Sequence, residues 1–315
     1  MSRVLVTGGA GFIGSHLCDR LLEQGHEVIC LDNFFTGVQD NIRTQVNIIE
    51  ADICSEAACQ AIRDFKPDTI FHLAAQINVR KSVESPVFDS NENVLGTVNM
   101  LETAAKEGVA NFIFASTGGA IYGEQEYFPA DEVHPIRPKC PYGVSKRAAE
   151  QYLEYYGCYT DLQTTSVRFA NVYGPRQNPK GEAGVVAIFT DKLLDGKPLC
   201  VNGDGEQTRD FVYVGDVVSA MLAAGSLKHE EGFDIFNVGR GVEISVNEVV
   251  SALKTVWSDL GQELSAFVVN NGPEMPGEQL RSVISPEKLS SRVDWAPNTS
   301  LSQGLELTVK SFLKI

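Results

Sequence analysis

The chain has 315 residues, of which 43% are hydrophobic, and its formal net charge is -15. A chain of this length can bury the core of one large domain or of two smaller ones. The acidic charge argues against nucleic acid as a partner, because counterion release on DNA requires cationic surfaces. Apolar runs of membrane-spanning length do not occur in the sequence, so we expect no membrane partner.

Seven cysteines occur, and no pair has C-x-x-C spacing. An odd number without such spacing argues against a disulfide framework and against a zinc site, so we predict no metal. The first predicted strand begins at Arg3, which leaves no room before it for a signal peptide. We therefore expect a cytoplasmic protein with reduced thiols.

The N-terminal half alternates short β-branched runs with helical patterns. This alternation favours an α/β fold of the Rossmann type, in which helices cover both faces of a doubly wound parallel sheet. The predicted strands are 3–7, 27–31, 46–50, 69–73, 111–116 and 163–169, and the predicted helices are 12–24, 55–65, 93–107 and 143–156.

Three glycines with G-x-x-G-x-x-G spacing, Gly8, Gly11 and Gly14, lie between the first predicted strand and the first predicted helix. Glycines here permit a tight turn and let a pyrophosphate approach the N-terminus of the helix, where free N–H groups favour negative charge. An ordinary strand–turn–helix connection can carry the same spacing. The position at the start of the α/β pattern favours a dinucleotide site.

Two acidic positions continue this site. Asp32 ends the second predicted strand, where a carboxylate accepts hydrogen bonds from the ribose hydroxyls of adenosine and repels a 2′-phosphate, which selects NAD over NADP. The alternative is a solvated turn, since Asp32-Asn33 is a favourable turn sequence. At the end of the third predicted strand, Asp52 and Ile53 are candidates to contact the adenine, with a plain turn as the alternative.

After about Pro175 the alternating pattern gives way to segments rich in glycine, proline and asparagine. We therefore predict an NAD-binding Rossmann domain over residues 1–175 and a smaller, mixed substrate-binding lobe over residues 176–315. The segment 233–238 is predicted to be a strand that returns to the main sheet.

Tyr142-x-x-x-Lys146 lies at the start of the last helix predicted in the N-terminal half. Residues four apart share one helical face, so the phenol and the ammonium can serve one site. A positive charge at about 4 Å stabilises a phenolate by about 4 kcal/mol at an effective dielectric near 20. We therefore expect Lys146 to lower the pKa of Tyr142 far enough for general base catalysis. A surface pair on a helix is the alternative.

A third catalytic group is expected at the end of the strand predicted over 111–116, which the topology places beside the cofactor. Thr117 can pass a proton between a substrate hydroxyl and Tyr142. Ser116 competes with Thr117 for this role.

Taken together, these motifs follow the order seen in a known family. In this respect the sequence resembles the extended short-chain dehydrogenases, and most closely the UDP-glucose 4-epimerases of bacteria and archaea. The resemblance covers nearly the whole chain and implies NAD as cofactor and a UDP-hexose as substrate. The motifs are the glycine motif at 8–14, Asp32, Asp52-Ile53, the segment 72–76, Asn93, the segment 116–123, Tyr142-x-x-x-Lys146 and the segment 168–176.

The resemblance assigns cofactor contacts beyond the three glycines. They lie under the pyrophosphate, around the adenosine ribose and along the wall of the cofactor channel. The implied residues are Phe12, Ile13, Asp32, Asn33, Phe34, Phe35, Thr36, Gly37, Asp52, Ile53, Leu73, Ala74, Ala75, Gln76, Asn93, Tyr142 and Lys146.

For the substrate, the resemblance implies that Thr117 and Tyr142 contact the sugar. It also implies that Asn171 and Arg209 bind the diphosphate. An arginine suits this role because its planar fork meets phosphate oxygens two at a time. The alternative is a surface arginine beside Asp210.

Further along, Glu278 matches the family's ribose-binding carboxylate, and Ser282 matches the position that flanks the 2-substituent of the sugar. The family usually carries arginine where Met275 stands, which leaves the nucleotide base open. Arg281 is the candidate to compensate for that substitution.

This family supports epimerases, dehydratases and decarboxylases, all of which begin by oxidising the sugar at C4. In the dehydratases a carboxylic acid directly follows the threonine at this strand end, whereas Gly118-Gly119 follows Thr117 here and cannot perform acid–base chemistry. The sequence therefore favours NAD-dependent 4-epimerisation of UDP-glucose and UDP-galactose, and of their N-acetylated forms. The alternatives are another sugar-nucleotide epimerase, such as one acting on a uronic acid, and a non-catalytic NAD-binding regulator.

Apolar stripes on the helices predicted over 93–107 and 143–156 bear on assembly. In the family such helices pair between two subunits, which implies a homodimer. The alternative is that both stripes pack on the sheet. The stripes comprise Val94, Val98, Leu101 and Ala105 on the first helix, and Ala148, Tyr152 and Tyr155 on the second.

Overall fold

A computed structural model describes residues 1–180, 184–274 and 279–315. The strands in these ranges are Arg3–Thr7 (β1), Glu27–Asp32 (β2), Asn47–Glu50 (β3), Thr69–His72 (β4), Asn111–Thr117 (β5), Gln163–Phe169 (β6), Asn171–Tyr173 (β7), Leu199–Asn202 (β8), Thr208–Arg209 (β9), Phe211–Tyr213 (β10), Phe233–Val238 (β11), Ile244–Ser245 (β12), Val269–Gly272 (β13) and Arg281–Ser282 (β14).

Helices alternate with the strands along the N-terminal half and then become irregular. They are Phe12–Glu23 (α1), Glu56–Phe65 (α2), Val79–Glu84 (α3), Pro86–Ser90 (α4), Gly96–Lys106 (α5), Gly118–Ile121 (α6), Pro141–Tyr159 (α7), Val185–Leu194 (α8), Val214–Gly225 (α9), Val246–Asp259 (α10), Glu287–Arg292 (α11) and Leu301–Leu313 (α12).

Within the described residues, seven parallel strands form the main sheet in the order β11-β6-β5-β4-β1-β2-β3. The strand order reverses at β1, which pairs with β2 on one side and with β4 on the other. In open α/β sheets, ligands bind beyond the carboxyl ends of the strands at such a reversal. The topology therefore places a ligand crevice beside the end of β1.

Two hydrophobic clusters, one on each face, hold the sheet between its helices. On one face, α1 and α9 pack together over the sheet and bury residues such as Leu17 and Met221. On the other face, α2, α5 and α7 bury residues such as Ile62, Leu101 and Leu153. The predicted Rossmann-type fold is thereby confirmed.

The helix predicted over 93–107 differs from the structure. A single turn of π-helix, Asn91–Leu95, precedes α5, and the short helices α3 and α4 lead into it. Turns of this kind are rare and cluster at functional sites, because they redirect side chains. Here the turn holds the Asn93 side chain, which is buried and bonded to Gln76.

A mixed lobe follows β6 and β7. It contains the three-stranded sheet β12-β9-β14 and the pair β13-β8, packed against α8, α10 and α12. Segments of this half nevertheless complete the main sheet, since β11 pairs with β6 and α9 packs on α1. The domain boundary at residue 175 stays a prediction. None of the helices in the described residues is long and apolar enough to span a membrane.

Candidate active site

The glycine motif forms a close backbone turn between β1 and α1. Gly8 has φ +66°, and a Cβ at this position would lie 2.6 Å from the backbone nitrogen of Ala74. A Cβ at Gly14 would overlap the carbonyl oxygen of Gly8, and Gly11 lies at the N-terminus of α1. The turn therefore leaves room for backbone alone, and the partly exposed Phe12 and Ile13 open the helix at the reversal of the sheet.

Asp32 ends β2 with a buried side chain. Its carboxylate accepts hydrogen bonds from the backbone N–H groups of Ala10, at 2.9 Å, and Phe34, at 2.8 Å. Burial raises its pKa, and these two bonds act in the opposite direction. A carboxylate oxygen has more than one lone pair, so Asp32 keeps capacity to accept from ribose hydroxyls.

The loop after Asp32 curls back over this carboxylate. Phe34 takes a positive φ of 54°, and Gly37 approaches Asp32 so closely that a Cβ there would lie 2.7 Å from Oδ1. Phe35 and Thr36 are exposed, and the centre of the Phe35 ring lies 4.8 Å from Nζ of Lys81.

A second acidic side chain lies close to this loop. Asn33 donates through its amide to Asp52, at 2.9 Å, so the ends of β2 and β3 are linked. Ile53 is buried beside them. The structure thus brings the two predicted adenosine contacts, Asp32 and Asp52, to neighbouring strand ends.

Residues after β4 form a wall next to the glycine turn. Gln76 and Asn93 bond reciprocally: the backbone N–H of Gln76 donates to Oδ1 of Asn93 at 2.8 Å, and Nδ2 of Asn93 donates to the carbonyl of Gln76 at 2.8 Å. Leu73, Ala74 and Ala75 precede Gln76 and are partly exposed. The π-helical turn therefore fixes this wall through the Asn93 side chain.

Under this wall runs a chain of buried hydrogen bonds, and no role was assigned to it from the sequence. Thr97 donates to the carbonyl of Asn93 at 2.8 Å, so its oxygen accepts from Nε2 of His72 at 3.2 Å. The other imidazole nitrogen then accepts from Thr7 at 2.9 Å, whose oxygen accepts from the backbone N–H of Ala74. Burial lowers the pKa of His72 to about 3, so the imidazole stays neutral. One ring nitrogen therefore always donates and the other always accepts in this series of hydrogen bonds.

Tyr142 and Lys146 occupy one face of α7, as predicted from their spacing. Lys146 is buried, donates to the carbonyl of Ala115 at 2.9 Å and lies 4.5 Å from the centre of the Phe114 ring. Helix α7 begins with Pro141 at its first position, where a missing N–H group costs nothing. The helix therefore presents both side chains to the end of β5.

The pKa of Tyr142 differs from the expectation drawn from the sequence. Burial raises it above the ordinary value, Cys140 and Asp89 raise it further, and a hydrogen bond with Thr117 acts in the opposite direction. The lowering expected from Lys146 is not found: Lys146 is not among the groups that shift the pKa of Tyr142, and its ammonium donates to the carbonyl of Ala115. Burial lowers the pKa of Lys146 itself to about 8.

The two candidates for the third group face different surroundings. Thr117 caps α6 by accepting from the backbone N–H of Ala120, and it bonds with Tyr142. Ser116 is buried and donates to Oε1 of Glu150 at 2.8 Å. The strand alternation thus turns Thr117 toward Tyr142 and commits Ser116 to a structural contact.

Glu150 and Arg168 form a buried ion pair that sequence reasoning missed. Both side chains are 0% exposed. Arg168 donates from Nε and Nη2 to the two oxygens of Glu150 at 2.8 and 2.7 Å, and Ser116 and Ser166 donate to the same carboxylate. Burial alone would raise the pKa of Glu150, but the bonds from Arg168 hold it below the ordinary value. The pair ties α7 to β5 and β6.

Asn171 opens β7 and lines a cavity of about 300 Å³. The Gln177 side chain also lines it, donating to the carbonyl of Val172 at 3.1 Å. Its Oε1 is buried and accepts no hydrogen bond in the described part of the chain. A buried acceptor of this kind requires a donor from a water or a ligand, and Gln177 was not singled out from the sequence.

Arg209 and Ser282 lie side by side on β9 and β14. The register pairs Ser282 with Arg209, and Ser282 is buried. Nη1 of Arg209 donates to the carbonyl of Thr208 at 2.8 Å. Asp210 accepts from the backbone N–H groups of Arg240 and Gly241.

Two residues of the predicted substrate site, Met275 and Glu278, lie outside the described residues. Arg281, the candidate to compensate for Met275, donates to both carboxylate oxygens of Glu243 at 2.8 and 2.6 Å. Its guanidinium also lies 3.8 Å from the centre of the Phe128 ring. Arg281 is therefore held by protein contacts of its own.

These features fit a dinucleotide. A side chain at Gly8 or Gly14 would clash with the backbone, so the turn stays open for a ligand. The N-terminus of α1 faces the reversal of the sheet, and Asp32 ends the next strand. A phenol, a hydroxyl and an ammonium, from Tyr142, Thr117 and Lys146, lie where the carboxyl ends of β4 and β5 meet the same crevice. Such a set can exchange a proton with an alcohol beside a bound cofactor.

Comparisons with known proteins agree with this geometry. The profile of the NAD dependent epimerase/dehydratase family matches residues 4–239. A UDP-glucose 4-epimerase of Mycolicibacterium smegmatis is 41% identical over 98% of both chains. The Thermotoga maritima UDP-glucose 4-epimerase structure with UDP-glucose is 42% identical, covers 99% of both chains and has a TM-score of 0.92. The Thermus thermophilus UDP-glucose 4-epimerase complex with NAD is 45% identical, covers 99% of both chains and has a TM-score of 0.89.

Proposed function

The chain belongs to the NAD dependent epimerase/dehydratase family, whose cofactor is NAD, and on this premise we propose that it interconverts UDP-hexoses at C4. The observation that carries the proposal is the placement of Thr117, Tyr142 and Lys146 together at the end of β5, beside the glycine turn. The M. smegmatis and T. maritima relatives support the UDP-glucose/UDP-galactose pair as substrates.

Each side chain has a task in the proposed reaction. NAD, when bound, supplies reversible hydride transfer at sugar C4. Tyr142 takes the proton of the C4 hydroxyl, directly or through Thr117, and returns it after the 4-keto sugar has turned its other face. In this proposal Lys146 brings a positive charge to the helical face that bears Tyr142, and this charge favours the phenolate while the C4 proton is transferred.

Dehydration is disfavoured by the residues that follow Thr117. A Cβ at Gly118 would lie 2.6 Å from Cδ1 of Ile284, so a carboxylic acid does not fit there without displacing a buried core residue. A Cβ at Gly119 would lie 3.8 Å from Oδ1 of Asn171, in ordinary contact, but glycine offers no proton. Oxidation followed by reduction at C4 requires no such acid, and it is the chemistry that we propose.

The lobe supplies the substrate contacts in this proposal. Asn171 lies at the start of β7, and Arg209 lies one strand from Ser282. We place the diphosphate near Asn171 and Arg209 and the 2-substituent of the sugar near Ser282, with Glu278 holding the ribose. A serine leaves space for an acetamido group, so N-acetylated sugars belong to the proposed substrate range.

The test is incubation with UDP-glucose, UDP-N-acetylglucosamine and UDP-glucuronate, followed by chromatographic separation of the products. We expect UDP-galactose from UDP-glucose and the corresponding product from the N-acetylated sugar. Conversion of UDP-glucuronate alone would replace the proposal with a uronate epimerase. Binding of NAD without turnover of any of the three sugars would favour the non-catalytic regulator.

A homodimer is part of the proposal. Tyr152 and Tyr155 of α7 are 43% and 56% exposed, which leaves an apolar surface for a second copy. Leu101, on the predicted stripe of α5, instead packs in the core against the sheet. For this residue the alternative, that the stripe packs on the sheet, is correct. Light scattering at micromolar concentration should give twice the chain mass, and a monomer mass would contradict the dimer.

A further inference from the structure

Asp89 is a buried carboxylate beside the catalytic helix α7, and the reaction described above does not use it. It lies in α4, directly before the π-helical turn, and is 0% exposed. Its oxygens accept from Oγ of Ser145 at 2.6 Å, from Nε2 of Gln76 at 2.8 Å and from Nδ2 of Asn93 at 3.1 Å. These bonds join the start of α7 to the wall of the cofactor channel.

Within the described ranges, the three side-chain donors to Asp89 are neutral. Glu150, a buried carboxylate on α7 itself, is held by the guanidinium of Arg168 instead. Donated hydrogen bonds stabilise the anionic form of a carboxylate, but they do not cancel its charge. The field of Asp89 therefore extends into a site of low dielectric, where charges interact more strongly than in water.

Lys146 is the cation on which this field acts. Ser145, which bonds to Asp89, precedes Lys146 in the chain, and α4 packs against α7. The other titratable groups around the lysine are Tyr142 and Glu150 on the same helix and His72 on β4.

Other titratable groups of the neighbouring elements interact with partners other than Lys146. Arg168 on β6 bonds to Glu150 and to Tyr122, which follows α6. Cys140 caps α7 and interacts with Asp89. In the π-helical turn, Glu92 interacts with Asp52 and Lys81.

We propose that Asp89 is a positioning residue that holds Lys146 in the ammonium form and locks the wall formed by Gln76 and Asn93 to the start of α7. The proposal rests on the proposed function, because that function gives Lys146 its task. Geometry carries it: one fully buried anion contacts both the wall and the turn of helix that bears the lysine.

The pKa of Lys146 supports this assignment. Burial lowers this pKa, Asp89 and then Glu150 offset part of the lowering, and the resulting pKa is about 8. Since an amine is charged below its pKa, Lys146 is mostly an ammonium at pH 7 and loses its proton as the pH rises through about 8. Removal of the Asp89 charge lowers this pKa further, so the ammonium is lost at a lower pH.

The direct test is titration of Lys146 without turnover. The NAD-bound protein is labelled with ¹³C at the lysine Cε atoms, and the Lys146 signal is identified by its loss in Lys146→Met. We expect Asp89→Asn, which keeps the shape of the side chain, to lower the pKa of Lys146 by about one unit, a tenfold change in its ionisation constant. Ser145→Ala removes a hydrogen bond but keeps the charge, so it should leave the pKa near the wild-type value.

The second readout is the pH dependence of kcat. Asp89 raises the pKa of Tyr142 as well as that of Lys146, so Asp89→Asn should move both limbs of the profile to lower pH. A merely structural defect lowers kcat at every pH and leaves the limbs in place. If Asp89→Asn does not fold, Asp89→Ser provides the same neutral position with a smaller side chain.

The proposal is overturned if the pKa of Lys146 is unchanged in folded Asp89→Asn or Asp89→Ser. It is also overturned if Ser145→Ala lowers this pKa by the same amount. The titration requires no sugar substrate. If the wild type converts none of the UDP-sugars, the proposed function fails while the titration still decides the link between Asp89 and Lys146.

Discussion

The sheet half and the lobe hold their functional side chains in different ways. In the sheet half, Tyr142, Lys146 and Thr117 stand on a long helix and a seven-residue strand, fixed by buried hydrogen bonds and ion pairs. In the lobe, Arg209 and Ser282 stand on two-residue strands joined across a long stretch of sequence. We infer that the sheet half sets the rate for every sugar, whereas the lobe sets which sugar is accepted.

The largest expected effect is on stability, through the ion pair of the sheet half. Arg168→Met removes the cation that bonds both oxygens of Glu150 and leaves this buried anion only the longer contact with Arg147, at 3.3 Å, so the free energy of unfolding should fall by about 3 kcal/mol. Urea or guanidinium denaturation measures the loss. The double variant Glu150→Gln/Arg168→Met removes both charges and should be more stable than the single variant. If Arg168→Met is as stable as the wild type, the ion pair between Glu150 and Arg168 does not stabilise the sheet half.

The next largest effect is on the chemical step. Tyr142→Phe should reduce kcat by at least about two orders of magnitude, the usual range of general base catalysis, because phenylalanine cannot accept the C4 hydroxyl proton. The reduction should be similar for UDP-glucose and UDP-N-acetylglucosamine, and NAD binding should persist. Near-full activity would remove Tyr142 from the mechanism. A reduction with only one of the two sugars would contradict the inference that the sheet half sets the rate for every sugar.

How far the sequence predicts each half follows from the same contrast. The Rossmann-type sheet and the strand at 233–238 were predicted, because buried parallel strands and amphipathic helices have strong periodic patterns. Local spacing placed Tyr142 and Lys146 on one helical face. The raised pKa of Tyr142 could not be predicted, because it depends on burial and on Cys140 and Asp89.

Contacts distant in the sequence escaped prediction altogether. Arg168 lies in a strand that already carries polar residues (Gln163, Thr164, Thr165 and Ser166), and Glu150 lies on an ordinary helix, so neither residue alone signals an ion pair. Asp89 gave no signal either, since its three donors come from separate segments. The Gln177 acceptor is visible only once the cavity around it has formed.

In the lobe the expected effect concerns the ratio between sugars. Wild-type efficiencies for UDP-glucose and UDP-N-acetylglucosamine should lie within about a hundredfold of each other, since a pocket discriminates an added group by roughly 1–3 kcal/mol. Ser282→Tyr should abolish turnover of the N-acetylated sugar and keep that of UDP-glucose, because the ring fills the space left by serine. Kinetics with both sugars measure the ratio, and Ser282→Ala is the control that adds no bulk.

Loss of both sugars in Ser282→Tyr would show that the lobe affects the chemistry as well as the choice of substrate. Turnover of UDP-glucose by the wild type, with none of the N-acetylated sugar, would mean that Ser282 leaves no such space.

The smallest expected effect returns to the sheet half and concerns the choice of cofactor. The carboxylate of Asp32 lies where the adenosine ribose is proposed to bind, and a 2′-phosphate there would meet a like charge. The following residues Asn33-Phe34-Phe35-Thr36-Gly37 contain no cation to offset it. We expect NADP to bind at least about tenfold more weakly than NAD, about 1.4 kcal/mol, when cofactor-depleted protein is titrated with each.

Asp32→Asn should reduce the ratio of the NADP and NAD dissociation constants, because it removes the charge that repels the 2′-phosphate. The new amide cannot accept from both Ala10 and Phe34, so this variant should also bind both cofactors more weakly. The ratio, rather than either affinity, isolates the charge. Equal activation of the depleted protein by NADP and NAD would contradict the role of Asp32, and a ratio that depended on the sugar present would show that the two halves are not independent.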